Sequence, residues 1–223
     1  MYTTINDTAL FYDVRSCAGR PYLVFINSLG TDARIWNSVI AELGSSFNII
    51  TIDKPGHGLS GDGPESCSIE QYASYVAGLL DFLKVDKAYV CGISIGGLIA
   101  QALYHLNPDR IAGMVLSNTG LKIGDDDTWN SRISTIKSQG LTSISAGVME
   151  RWFSASYIQK LQHEISAYQR MFSSTSDKGY IAACIALRDA DLTDKAGNIH
   201  VPVTCIASDE DISTPVDMVT ALS

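Results

Sequence analysis

The chain has 223 residues, of which 46% are hydrophobic and 18% charged, and its formal net charge is −8. This balance predicts one large globular domain, or a domain with an insertion, and excludes a disordered chain. Without a basic run, the negative charge argues against nucleic acid as a partner. We expect no membrane partner and a cytoplasmic protein, since no apolar stretch has membrane-spanning length and the N-terminus is not a secretory signal.

The N-terminal half of the chain alternates apolar runs with helical patterns. Strands are predicted on both sides of the turn pair Asn6-Asp7, and further strands over 21–27, 47–52 and 111–116. Helices are predicted after Asp32, an N-cap residue, and after Ser68, which forms a capping box with Gln71. Buried strands that alternate with amphipathic helices predict an α/β fold with a mostly parallel sheet flanked by helices.

The most informative motif is Gly92-Ile93-Ser94-Ile95-Gly96, which lies between an apolar run and a helical pattern. A strand–G-x-S-x-G–helix context predicts a nucleophile elbow with Ser94 as the nucleophile. The candidate oxyanion donors are the backbone amides of Ile95 and of Leu29, in a loop that follows an earlier strand. The alternative is a glycine-rich turn that holds a structural serine.

After residue 120 the strand pattern stops. Residues 125–191 show helical patterning and predict a helical insertion, and a strand returns at 201–207. Three acids, Asp209, Glu210 and Asp211, follow that strand. One of them is a candidate to orient a catalytic histidine, and the alternative is a solvated acidic loop.

The histidines are the difficulty for this chemistry. His57 lies in a Gly-His-Gly loop, where it is expected to stabilise the loop, and His105 falls inside a helix. His163 is expected to be exposed, and His200 precedes a strand, at the opposite end of the sheet. In the expected order of nucleophile, acid and histidine, the base follows Asp211, where no histidine remains.

The five cysteines are scattered and include no C-x-x-C pair. We expect free thiols, mostly buried, and no metal site. The positions are Cys17, Cys67, Cys91, Cys184 and Cys205.

The chain resembles the α/β-hydrolase superfamily, and within it the 3-oxoadipate enol-lactonase family. The marks shared with the whole superfamily lie at 27–30, 53–60, 92–97 and 211–215. The marks specific to the enol-lactonases lie in and beside the insertion, at 117–124, 129–133, 151–153 and 179–192. Together these marks span nearly the whole chain.

The resemblance implies an α/β-hydrolase core over 1–122 and 196–223, with a helical cap over 123–195. It implies a serine hydrolase that needs no cofactor and opens a small lactone, 3-oxoadipate enol-lactone, in aromatic catabolism. Ser94 is the implied nucleophile and Asp211 the implied acid.

The substrate of this family also carries a carboxylate. Arg132 and Arg188 are the candidates to bind it, and the alternative for each arginine is an ordinary ion pair. Trp129 and Trp152 are the expected apolar walls.

Two departures from the family accompany these expectations. Asn27 stands where the family usually has histidine, and its side chain is expected to hold the loop by hydrogen bonds. Family members also continue with one more strand and a loop that bears the catalytic histidine. The last strand and helix, about 30 residues or more, are therefore expected to be missing from a C-terminally truncated chain.

Two other functions stay open at this point. One is a general carboxylesterase or carbon–carbon bond hydrolase on the same scaffold. The other is an inactive or ligand-binding relative. The sequence does not predict the oligomeric state.

Overall fold

A computed structural model describes residues 1–222, and these residues form a seven-stranded sheet in the order β1-β2-β4-β3-β5-β6-β7. β2 pairs antiparallel with both of its neighbours, β1 and β4. The other neighbours in the order β4-β3-β5-β6-β7 pair parallel, which confirms the predicted mostly parallel sheet. The strands are β1 (Tyr2–Ile5), β2 (Thr8–Arg15), β3 (Tyr22–Ile26), β4 (Asn48–Ile52), β5 (Ala88–Ile93), β6 (Ile111–Ser117) and β7 (Val203–Ile206).

The central strands form because their side chains are apolar on both faces. Every residue of β4 is buried, and β3 is buried from Leu23 onward. Parallel strands covered by helices on both faces have this composition. The hairpin between β1 and β2 turns at Asn6 and Asp7, which adopt positive φ angles of 47° and 60°, as two-residue hairpin turns require.

Four helices belong to the core around the sheet in the described residues: α1 (Asn37–Leu43), α2 (Ile69–Phe82), α3 (Ile95–Leu106) and α9 (Val216–Thr220). The capping box at the start of α2 is confirmed, because Ser68 and Gln71 each accept the other's backbone N–H. The helix predicted after Asp32 begins instead as a 3-10 turn over Ala33–Trp36, capped by Asp32, before α1 follows.

Five further helices lie between β6 and β7 and build the cap: α4 (Asp126–Gln139), α5 (Ser145–Trp152), α6 (Ala155–Lys160), α7 (Gln162–Ser173) and α8 (Asp177–Asp189). Buried cap residues such as Phe172 and Tyr180 belong to the same hydrophobic cluster as Val24 of the sheet. We infer that the cap comprises 123–195 and completes the core rather than folding apart from it. The second core segment, 196–223, ends at a residue that lies outside the described ones.

Free thiols were expected, and all five cysteines are free. Cys67, Cys91 and Cys184 are buried, while Cys17 and Cys205 are partly exposed. Between residues 1 and 222, no helix has both the length and the apolar character needed to cross a membrane.

The sheet brings several loops to one edge. Ile93 at the end of β5 lies beside Ser117 at the end of β6, which in turn lies beside Ile206 at the end of β7. The loop after β3 lies at the same edge, since Ile26 pairs with Gly92. The carboxyl ends of parallel strands are where ligands bind in open α/β sheets.

Candidate active site

Ser94 occupies a sharp turn between β5 and α3. Its φ of 57° and ψ of −123° are rare for a residue with a side chain, and backbone strain of this kind concentrates at functional sites. Four hydrogen bonds hold the turn. The Ser94 N–H donates to the carbonyl of Ser117 at 3.0 Å. The Ser94 carbonyl accepts from Gly97 N at 2.9 Å, from Leu98 N at 3.4 Å and from Thr119 Oγ1 at 2.7 Å. The Ser94 hydroxyl has no hydrogen-bond partner within residues 1–222.

Glycines make this turn possible because backbone segments cross closely around it. A Cβ on Gly92 would overlap the carbonyl of Gly96, and a Cβ on Gly96 would overlap the carbonyl of Ile26. A Cβ on Gly97 would lie 2.5 Å from the Thr119 side chain. The start of α3 therefore packs directly on the strands that flank Ser94.

Ser94 opens into a cavity of about 520 Å³ between the sheet edge and the cap. Eight of the candidate residues named from the sequence line it: Leu29, Ser94, Trp129, Arg132, Trp152, Asp209, Glu210 and Asp211. Ile95 and Arg188 do not line it. This volume is within the usual range for a small-molecule site.

Two backbone N–H groups have no acceptor within residues 1–222: that of Ile95, the residue after Ser94, and that of Leu29 in the cavity wall. Ile95 is the first residue of α3, whose N-terminal N–H groups have no partner inside the helix. Within residues 1–222, both predicted oxyanion donors are therefore available to a ligand, and Leu29 itself lines the cavity.

Asp211 lines the same cavity and is held by four hydrogen bonds. Its Oδ1 accepts from the N–H groups of Ser213 at 2.8 Å and Thr214 at 3.1 Å. Its Oδ2 accepts from Asn118 Nδ2 and from Thr214 Oγ1, both at 2.7 Å. Thr214, three residues after Asp211, supplies two of these four hydrogen bonds, and together they fix the carboxylate at the cavity wall.

None of the four histidines lines the Ser94 cavity. His57 is buried, and its Nδ1 lies 3.1 Å from the carbonyl of Pro55, in the loop-stabilising role expected for it. Burial, together with the nearby charge of Lys54, lowers the pKa of His57 well below 6.5. His105 is half-buried, and both His163 and His200 are exposed.

The two candidate arginines have different surroundings. Arg132 stacks on Trp129, with its guanidinium carbon 5.2 Å from the ring centre, and lies 3.5 Å from the Tyr180 hydroxyl. No carboxylate within residues 1–222 forms an ion pair with it. Arg188 instead binds Asp189 at 2.7 Å and Asn130 at 2.9 Å, outside the cavity.

The expectation that Arg188 binds substrate is therefore not supported by its position. Arg188 lies in the last turn of α8, where the adjacent carboxylate captures its guanidinium and Asn130 ties it to α4. The ordinary ion pair, the alternative weighed for each arginine, describes Arg188.

Sequence reasoning missed other residues of this site. Arg151 lines the cavity and forms no ion pair within residues 1–222. Asn118, at a positive φ of 42°, holds the carboxylate of Asp211. A signal for Asn118 was present, because it directly follows β6 at the functional edge. Arg151 lies in one of the marks shared with the enol-lactonases, 151–153, but its place in the cavity depends on how its cap helix packs.

A buried polar group lies behind the loop after β3. Lys54 is only 3% exposed, and its Nζ donates to the carbonyls of Ser28 at 2.5 Å and Asn27 at 3.5 Å. Burial lowers the pKa of Lys54 from 10.5 to about 7, although the charges of Asp53 and Asp32 oppose this shift. The same loop is tied by Asn27, as predicted, through a hydrogen bond to the carbonyl of Thr31.

Asp53 beside Lys54 is also buried and anchors two backbone segments. Its carboxylate accepts the N–H of Ala33 at 2.8 Å and the N–H of Leu59 at 2.9 Å. Burial raises the pKa of Asp53 above 3.8, and these two N–H groups oppose that rise.

A second cavity, of about 590 Å³, lies beside the β1–β2 turn. It is lined by residues such as Asp7, Asp62 and Tyr75 and shares no residue with the Ser94 cavity. In the part of the chain that the structure describes, no group of three or more His, Cys, Asp or Glu residues is placed to hold a metal ion.

The sequence profile of the alpha/beta hydrolase fold matches residues 21–142. The chain is 35% identical to 3-oxoadipate enol-lactonase 2 of Acinetobacter baylyi over 213 residues, which cover 96% of this chain and 80% of that protein. The 3-oxoadipate enol-lactonase 1 of the same organism is 33% identical over 216 residues, or 97% of this chain and 81% of that protein.

The chain belongs to the α/β-hydrolase family, in the branch of the 3-oxoadipate enol-lactonases. Among solved structures, it superimposes on the enol-lactonase from Burkholderia xenovorans with a TM-score of 0.96 and 33% identity, over 100% of this chain and 86% of that one. The family predicted from the motifs is confirmed, and the protein is a hydrolase of esters or lactones.

Proposed function

We propose that this α/β hydrolase opens 3-oxoadipate enol-lactone to 3-oxoadipate, a step in aromatic catabolism. The observation that carries the proposal is Ser94, strained at an elbow and facing a cavity that also holds Arg132, which has no ion-pair partner within residues 1–222. The enol-lactonase relatives supply the substrate class.

The first step is attack by Ser94 Oγ on the lactone carbonyl. The carbonyl oxygen becomes an oxyanion, which the free N–H groups of Leu29 and Ile95 stabilise. Each such donor contributes about 2.7–4 kcal/mol to the transition state.

The second step breaks the ring bond between the carbonyl carbon and the ring oxygen. The leaving group is an enolate, which takes up a proton and tautomerises to a ketone, and this drives the step forward. Water then attacks the acyl group on Ser94 and releases the second carboxylate, so that one water is consumed for each lactone.

The proton of Ser94 needs an acceptor, and no histidine of residues 1–222 lines the cavity. Asp211 is fixed at the wall with both oxygens hydrogen-bonded, in a position suited to orient an imidazole. A diffusible imidazole is therefore the probe for this chemistry in the 223-residue chain.

Added imidazole should accelerate lactone opening by the unsubstituted chain by about tenfold or more, since a positioned base contributes about 10²–10⁴-fold. The measurement is proton release from the enol-lactone at constant pH, with and without imidazole. The Ser94→Ala variant should show no acceleration beyond that of free imidazole.

Acceleration that persists in Ser94→Ala would refute Ser94 as the nucleophile. Fast Ser94-dependent opening without imidazole would show that the chain supplies its own base. Equal or faster turnover of p-nitrophenyl acetate than of the enol-lactone would favour a general carboxylesterase over the proposed lactonase.

The carboxylate of the substrate is proposed to bind Arg132. Arg132→Lys should raise the KM for the enol-lactone, or the Kd for 3-oxoadipate, about five- to tenfold, because lysine keeps the charge but loses the planar pair of donors. The KM for the neutral p-nitrophenyl acetate should not change.

The matched control is Arg188→Lys, in the same cap but outside the cavity, which should leave both constants unchanged. An equal effect of Arg132→Lys on the charged and the neutral substrate would contradict carboxylate binding by Arg132.

A further inference from the structure

Lys54 is a buried cation directly behind the loop that carries Leu29. Its Nζ approaches the Ser28 carbonyl to 2.5 Å, whereas that oxygen lies 3.0 Å from Thr31 Oγ1 and 3.3 Å from Thr31 N. A lysine buried this completely is rare, because desolvation disfavours its charge. Packing of its four-carbon stem alone does not require the ammonium group at this place.

The contact matters because the Ser28 carbonyl and the Leu29 N–H belong to one peptide unit. No peptide bond among the described residues is cis, so this unit is planar and trans, and its N–H points away from its C=O. An ammonium that binds the carbonyl on the inner side therefore directs the N–H of Leu29 to the opposite side. That N–H has no acceptor within residues 1–222, and Leu29 lines the Ser94 cavity.

A cation on the carbonyl oxygen also acts through the electrons of the peptide. It draws electron density from nitrogen toward oxygen, which makes the N–H a stronger donor, as in other polarised hydrogen-bond chains. In a site shielded from water this effect is larger than in solution.

We propose that Lys54 is a positioning residue that orients and polarises the Ser28–Leu29 peptide so that its N–H stabilises the oxyanion formed at Ser94. The proposal rests on the proposed function, since it needs Ser94 as the nucleophile. It adds a cation behind the oxyanion site that does not itself touch the substrate.

The charge on Lys54 is balanced by its neighbours. The carboxylates of Asp53 and Asp32 favour the ammonium form. Burial opposes it more strongly, so the pKa of Lys54 falls to about 7. His57, the other titratable group that faces Lys54, is buried with a lowered pKa and stays neutral at this pH. The donor strength of Leu29 should therefore change around neutral pH.

The direct test is the amide resonance of Leu29, observed by NMR in the 223-residue chain labelled with ¹⁵N-leucine. Its chemical shift should titrate with a midpoint near pH 7 in the unsubstituted chain. In Lys54→Met the titration should vanish. A Leu29 resonance that titrates equally in Lys54→Met, or that has the same chemical shift in Lys54→Met and in the unsubstituted chain at pH 6, would overturn the proposal.

The second test uses phenylboronic acid, which mimics the tetrahedral adduct. Ser94 Oγ forms a bond to boron, the boron becomes tetrahedral and anionic, and the hydroxyl proton leaves to the buffer. Lys54→Met should weaken this binding about tenfold at pH 6, since one oxyanion donor is worth about 10²–10³-fold in rate and only part of its strength is lost. The difference should shrink above pH 8, where Lys54 of the folded, unsubstituted chain is mostly neutral.

Lys54→Gln keeps a hydrogen-bond donor without the charge. Its affinity for phenylboronic acid should lie between those of Lys54→Met and the unsubstituted chain. Lys122→Met, which removes an exposed core lysine paired with Asp191, should bind the boronate like the unsubstituted chain. Equal affinities in Lys54→Met and the unsubstituted chain would refute the role of Lys54. Boronate binding that is absent, or unchanged in Ser94→Ala, would instead refute Ser94 as the nucleophile, and the Leu29 titration would still decide whether Lys54 polarises the peptide.

Discussion

Replacing Gly179 by alanine is expected to lower the free energy of unfolding by about 2–3 kcal/mol, the upper range for forcing extra atoms into a packed site. Gly179 lies in the first turn of α8, where an added Cβ would overlap the Cα of Gly56. The Ser176 N–H also donates to the Gly56 carbonyl at 3.2 Å, so the crossing joins the cap to the core. Urea denaturation followed by circular dichroism measures the loss.

The matched control is Gly147→Ala in α5 of the same cap, where nothing lies within 4 Å of an added Cβ. That variant should be more stable by up to about 1 kcal/mol, because alanine is the better helix former. Similar stabilities for the two variants would mean that the Gly56–Gly179 crossing does not hold the cap. Gly179→Ala should also weaken 3-oxoadipate binding, since the neighbouring Tyr180 lines the cavity.

Replacing Lys54 by methionine is expected to make the chain's stability less dependent on pH. The pKa of Lys54 is about 7 in the folded chain and 10.5 as its ordinary value, so the unfolded chain holds the extra proton between these values. Stability of the unsubstituted chain therefore rises with pH across this window, and below pH 7 the full cost of burying the charge is present.

The change between about pH 7 and 9.5 amounts to about 3 kcal/mol, at 1.36 kcal/mol for each pH unit. Lys54→Met should lack this contribution, so its stability relative to the unsubstituted chain is greatest near pH 6 and falls as the pH rises. Urea midpoints at several pH values measure the difference, and Lys122→Met should follow the unsubstituted chain. Parallel curves for Lys54→Met and the unsubstituted chain would show that Lys54 keeps its ordinary pKa.

The two sets of measurements on Lys54 separate function from folding. A lysine kept only for packing should leave a less stable protein when replaced, with boronate affinity and stability falling together. A lysine kept for the oxyanion site should leave a protein that is more stable at pH 6 yet binds the boronate more weakly. Stability given up at a functional group is a common trade-off in enzymes.

Local signals in the sequence were sufficient to predict several elements of the core. The capping box at Ser68, the turn at Asn6-Asp7 and the apolar runs of β3 and β4 each depend on residues close in the chain. The Ser94 elbow is of the same kind, because the glycines that allow it lie within a few positions. Such features follow from φ and ψ preferences and from side-chain periodicity.

The assignment of the arginines needed the tertiary structure. Arg132 and Arg188 carry the same charge in the same cap, and no local signal separates them. Their difference arises because α4 and α8 pack so that one guanidinium stacks on Trp129 in the cavity while the other meets Asp189 and Asn130 outside it. Arg151 lines the cavity for the same reason, because its position depends on how α5 packs.

By itself, the sequence determined the mostly parallel sheet, the family and the residue at the elbow, because these depend on local pattern and on motifs. Only the tertiary structure decided that the N–H of Leu29 has no acceptor among residues 1–222, that four donors hold Asp211, and that Lys54 binds the Ser28 carbonyl. Those facts depend on contacts between segments distant in the chain, such as Lys54 with Ser28 and Asn118 with Asp211. Their energies come from burial and from donor–acceptor geometry, which no short stretch of sequence specifies.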